Sequence, residues 1–119
     1  MSEPFSVARI DDVPTGPGAE GGTWYRIRLH FGISAFGVNG FRADAGGRVI
    51  EEHNEVGTSA GRHEELYVVL SGRARFSLAG EEVDAPVGTL VFVRDPETQR
   101  GAVAEENGTT VLVVGGRPG

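Results

Sequence analysis

Glycine and proline interrupt this chain so often that its longest stretch free of both is ten residues, 62–71. With 19 Gly and 6 Pro spread along 119 residues, a helix of ordinary length has almost nowhere to form. Short β-rich runs between turn residues are the pattern of an all-β sandwich or barrel. The length suits one domain that builds its own core, 1–119, with residues 1–22 as lead-in and 23–116 as the barrel.

Composition removes several function classes. The formal net charge of −6 disfavours nucleic acid and anionic membrane surfaces as partners. The chain has no Cys, which rules out disulfides, thiolate metal sites and thiol nucleophiles. All eleven basic residues are Arg, so a Schiff base has no lysine to form on. No apolar run reaches the length of a membrane span, and the N-terminal residues lack signal-peptide character. The expected location is cytoplasmic.

Along the chain, residues 5–13 read as a short lead-in strand and residues 14–22 as an irregular loop. Residues 24–31 alternate, with Tyr25, Ile27, Leu29 and Phe31 on one face of a predicted strand and Trp24, Arg26, Arg28 and His30 on the other. Strands follow at 36–43 and 48–56, and the second places Val49, Glu51, His53 and Glu55 on one face. Residues 73–78 and 81–85 predict a hairpin around Ala79-Gly80. An apolar strand at 89–94 ends at Asp95-Pro96. Asn107-Gly108, between runs 102–104 and 109–114, predicts a second hairpin. Eight to ten strands without a repeat or linker indicate a barrel, a jelly roll in particular.

The central run, residues 62–72, carries the chemistry. His63-Glu64-Glu65 leads directly into Leu66-Tyr67-Val68-Val69-Leu70, whose alternation puts Glu65, Tyr67 and Val69 together. A carboxylate on a barrel's inner face needs a cation or a hydrogen-bond donor. A surface glutamate at a strand end is the plainer alternative.

These residues resemble the cupins. The first cupin motif ends in Glu, six residues, Gly, matched by Glu65 and Gly72. The second begins Gly, five residues, Pro-x-Gly, matched by Gly80, Pro86 and Gly88. The resemblance implies a double-stranded β-helix barrel over residues 48–95 and beyond, and a homodimer paired sheet to sheet, for which the apolar strand at 109–114 is the expected edge. The chain departs from the pattern where the second motif has its metal-binding His (here Val91) and its Asn (here Asp95). Residues 58–61 likewise offer no histidine for the first motif's His-x-His.

Shifting that alignment brings His53-Asn54-Glu55 into the place of His-x-His, with 57–61 as an insertion. The candidate metal set is then His53, Glu55, His63 and Glu65, a donor mixture suited to Mn, Fe or Zn. The same residues also read as a solvated charged edge beside a loop. No Ser has a triad, and no elbow or phosphate loop is present. Arg94 and Arg100 could take an anionic ligand or pair with Asp95 and Glu97.

Three functions remain open. The first is uptake of a small organic molecule by a pocket of His53, Glu55, His63, Glu65, Tyr67, Val91 and Val93. The second is a metal-dependent dioxygenase, isomerase or decarboxylase, as the resemblance to catalytic cupins implies. The third is metal-free acid–base catalysis by Glu65 and His63, with burial raising the Glu65 pKa. No residue set names the ligand.

Overall fold

The computed structural model describes residues 4–56 and 63–118. Its strands are β1 (Thr15–Pro17), β2 (Thr23–Tyr25), β3 (Gly37–Ala43), β4 (Arg48–His53), β5 (Glu64–Ser71), β6 (Arg73–Leu78), β7 (Glu81–Pro86), β8 (Leu90–Val93), β9 (Arg100–Ala104) and β10 (Thr109–Gly116). One short helix, α1 (Ile27–Phe31), links β2 to β3. A six-stranded sheet in the order β1-β2-β3-β10-β5-β8 faces a four-stranded sheet in the order β4-β9-β6-β7. All pairings are antiparallel. This is the expected all-β jelly-roll barrel.

The core lies between the sheets and is built by period-two alternation. From the six-stranded sheet come Phe41, Val69, Val111, Val91 and Val93; from the other come Ala74, Phe76, Ala85, Ala102 and Ala104. The alanines let the sheets approach closely around Phe76, which is fully buried and meets Tyr67 edge-on at 5.5 Å between ring centres. Two turns fix the register of the central strands. Ala79 and Gly80 hold φ of 52° and 85° in the two-residue β6–β7 turn, the left-handed pair that such hairpins need. Gly72 holds φ of 73° between β5 and β6, where a Cβ would run into Thr109. Any other residue there would strain the backbone and displace β10.

Five expectations change. Residues 5–13 form no strand; they hold a single 3₁₀ turn at Ile10–Asp12. The loop before Trp24 contains β1 and a 3₁₀ turn at Ala19–Gly21. The predicted strand over 24–31 stops at Tyr25 and becomes α1, which ends on Gly32 in the left-handed conformation, φ 67°; His30 on it is exposed. Asn107-Gly108 makes no hairpin, because β9 and β10 lie in different sheets. Instead this turn carries the chain across the barrel, pinned by Asp44 Oδ1 accepting from Gly108 N and Asn107 Oδ1 accepting from Ala45 N. Strand β10 is accordingly no edge: it lies between β3 and β5, fully paired on both sides.

Candidate functional site

Strand β5 presents Glu65, Tyr67 and Val69 inward, as the alternation predicts; Tyr67 and Val69 are each 1% exposed. From the facing sheet, β4 brings His53 to the same end of the barrel. Two register irregularities in β4, between Arg48 and Ile50 and between Ile50 and His53, break its alternation. Val49 and Ile50 are therefore both buried, which the predicted single face of Val49, Glu51, His53 and Glu55 does not allow, while Glu51 is exposed. Just past the strand, Glu55 is drawn in by its backbone N–H donating to Pro96 O at 2.8 Å.

Three of the four proposed metal ligands converge: the donor atoms of His53, Glu55 and Glu65 lie within 4.8 Å of one another. His53 Nε2 is 3.1 Å from Glu55 Oε2 and 3.8 Å from Glu65 Oε1. His63, half-buried just before β5, is not part of this group. Residues 57–62, including the proposed insertion, fall outside the described residues.

The cation that Glu65 requires comes from Arg100, on β9. It is 0% exposed; its Nη1 donates to Glu65 Oε1 at 3.0 Å and lies 3.9 Å from Glu55 Oε2. Nη2 donates to the Asp95 carbonyl at 3.3 Å. The expected Arg100 pairing with the Asp95 and Glu97 side chains is thus replaced by a buried bond to Glu65, and Asp95 Oδ1 instead accepts from Glu97 N. Arg94 lies over the Phe92 ring at 5.0 Å. Alternation carried the signal for Arg100: it shares a face with Ala102 and Ala104, both buried. A charge on a core face needs opposite charge nearby.

Tyr67 Oη also donates to Glu65 Oε1, at 2.6 Å, so one carboxylate oxygen takes both donors. Burial alone would raise the Glu65 pKa, but His53, Tyr67 and Arg100 together outweigh it and hold the group below its usual value. The expectation of a raised, proton-donating Glu65 is overturned: this carboxyl stays ionised at neutral pH. The same environment pushes Tyr67 well up, burial first and the Glu65 charge second.

His53 is oriented by its other nitrogen. Nδ1 lies 2.7 Å from Glu51 O; a carbonyl only accepts, so Nδ1 carries a proton. Nε2 then faces two carboxylates, which favours a second proton there. The His53 pKa is raised accordingly, first by Glu65, against the opposing effect of burial. A backbone carbonyl on Nδ1 is also the arrangement that aims Nε2 at a metal.

Beside this network opens a cavity of about 290 Å³, with His53, Glu65 and Tyr67 on its polar side and Phe41, Ile50 and Val113 on its apolar side. Val91 and Val93, proposed as pocket walls, pack into the core opposite Tyr67 and Glu65 in the β5–β8 register.

The architecture is that of the cupins. The chain superposes on a cupin sugar phosphate isomerase from Silicibacter pomeroyi with a TM-score of 0.76 at 19% identity, over 95% of this chain and 76% of that one. It superposes on a cupin protein from Bacteroides fragilis with a TM-score of 0.72 at 17% identity, over 99% and 88%. KdgF from a Halomonas species gives 0.71 at 19% identity, over 96% of both chains. No protein-family model and no curated protein matches the sequence. Likeness at this identity establishes the fold, and the chemistry must be argued from the site.

Proposed function

We propose that the protein binds a small organic ligand in the cavity at the open end of the barrel. One observation carries this reading: Arg100 and Tyr67 both donate to Glu65 Oε1, so Glu65 is ionised, inward and able to accept from a ligand hydroxyl or amine through its other oxygen. His53, whose pKa its carboxylate neighbours raise, offers a donor at Nε2 when protonated, and Phe41, Ile50 and Val113 cover the apolar part of the ligand. Thermal-shift screening of polyols, amino acids, carboxylic acids and phosphate esters tests it. A saturable rise in Tm that Glu65→Gln abolishes is expected; a screen in which no compound shifts the wild type contradicts it.

A second reading rests on the His53–Glu55–Glu65 convergence. These donors fit a divalent transition metal by type, and its chemistry would be that of a Lewis acid or oxygen-activating centre, within the classes of isomerase or decarboxylase. The chain would have to surrender the His53 Nε2 proton and loosen the Arg100–Glu65 bond, so affinity should rise with pH. Metal analysis of protein purified without chelator decides it: below about a tenth of an equivalent of Mn, Fe or Zn, with no gain on adding metal, the metal reading fails.

Self-association remains part of the proposal, moved from β10 to β8. Among the described residues strand β8 is a sheet edge, and it exposes Leu90 at 64% and Phe92 at 49%. Antiparallel pairing of two copies along it would satisfy both edges symmetrically. Light scattering at micromolar concentration should give a dimer mass, and a monomer refutes it. Among the described residues no helix is long and apolar enough to cross a membrane.

A further inference from the structure

A second cavity, of about 450 Å³, is lined by Trp24, Arg26, Arg28, Leu29, Ile33 and Asn39. Strand register places it on the same concave face as the first. Trp24 stands opposite Phe41 across β2–β3, and Asn39 opposite Val113 across β3–β10. Val113 in turn stands opposite Tyr67 across β10–β5. Directly opposed residues share a face, so Asn39, Val113 and Tyr67 form one row. Two strand spacings, about 10 Å, separate the Asn39 end from the Tyr67 end.

The two ends differ in charge. Of the 17 Asp and Glu in this acidic chain, none falls within residues 21–43, which hold Arg26, Arg28 and Arg42. Among the described residues, no carboxylate lies within ion-pair distance of Arg26 or Arg28. Arg26 is stacked on Trp24, its guanidinium carbon 5.0 Å from the ring centre. Its Nε and the Trp24 indole Nε1 are both buried without a hydrogen-bond partner, although such groups are almost always satisfied. Arg28 Nε is tied to Ile33 O at 3.0 Å, which fixes the side chain and leaves its outer nitrogens for another acceptor. Donors without acceptors at one end, and an acceptor-rich cluster at the other, match a ligand of opposite polarity.

We infer that the pocket takes a small organic anion, its carboxylate or phosphate held by Arg26 and Arg28 beside Trp24, its hydroxyl- or amine-bearing end on Glu65. This inference rests on the pocket reading above and adds the ligand class to it. Trp24 is the chain's single tryptophan, so its fluorescence reports on this end alone.

The test titrates glucose, glucuronate and glucose 6-phosphate against wild type, Arg28→Ala, Arg26→Gln and Glu65→Gln, following Trp24 emission and Tm together. Circular dichroism confirms that each variant is folded. The two anions should change Trp24 emission saturably and glucose should not, with glucuronate and the phosphate ester separating the two anion types. Either arginine variant should weaken anion binding about 10- to 100-fold, the scale of a lost charge-assisted hydrogen bond. Anion binding unaffected by both arginine changes, or glucose bound equally well, overturns the inference and leaves the pocket reading standing. No response in emission or Tm to any of the three probes overturns the inference for this ligand class, while a hit from the broader screen would still uphold the pocket.

Discussion

The two ends of this barrel are built on the same strands and have opposite contents. At the closed end β5 contributes Val69 and β9 contributes Ala102 and Ala104, all buried among Phe76, Ala74 and Val111. At the open end the same faces of β5 and β9 carry Glu65 and Arg100. Alternation decides only that these residues point inward. Whether the inward position holds a hydrocarbon or a buried ion pair decides what each end is for: the closed end supplies stability, and the open end spends some of it on a poised polar site.

Substitutions at the two ends should therefore separate. The largest effect is expected at the closed end, where Phe76→Ala removes a fully buried ring and should cost about 3–5 kcal/mol in urea unfolding, with the fold weakened throughout. Next comes Arg100→Met, which leaves Glu65 and Glu55 facing each other without their cation; a loss of about 3 kcal/mol is expected. A second change, Glu65→Leu, should recover much of that loss by removing the stranded charge. If Arg100→Met cost under about 1 kcal/mol, the pair would be behaving as a solvated surface bridge and the contrast between the ends would collapse.

The smallest effect is the pH dependence of the open end. The His53 pKa is raised above 6.5, so its contribution is full below 6.5 and disappears as pH climbs through the folded value. The Glu65 pKa is lowered below 4.5, so its contribution holds above 4.5 and disappears as pH falls through the folded value. The network is therefore most stabilising between about 4.5 and 6.5. Unfolding free energies across pH 4–9 should show a decline on the alkaline side that His53→Asn flattens and Phe76→Ala leaves in place.

This comparison also explains what the sequence makes legible. The inward face of β5, the Ala79-Gly80 turn and the Glu65–Gly72 spacing are local, set by alternation and backbone conformation, and they read directly. The 24–31 segment misleads because Ile27, Leu29 and Phe31 fit a period of two, yet the chain must turn from β2 to β3, and α1 with Gly32 makes that turn. Asn107-Gly108 misleads for a topological reason: the residues dictate a tight turn and are silent about which sheets it joins. Arg100 is the hardest case. Its burial depends on Glu65, 35 positions away, and nothing near it in sequence announces the partner. The clearest local hint of the Arg26–Arg28 end is the acid-free run from 21 to 43, visible only when absent residues are weighed.

The most direct test of the account is the ¹⁵N NMR titration of His53, one of only three histidines. If Glu65 is inward and ionised beside it, Nδ1 stays protonated throughout, Nε2 titrates with a midpoint above 6.5, and Glu65→Gln brings that midpoint down. A midpoint at or below 6.5 that Glu65→Gln leaves unchanged would place both groups in bulk water and contradict the poised site.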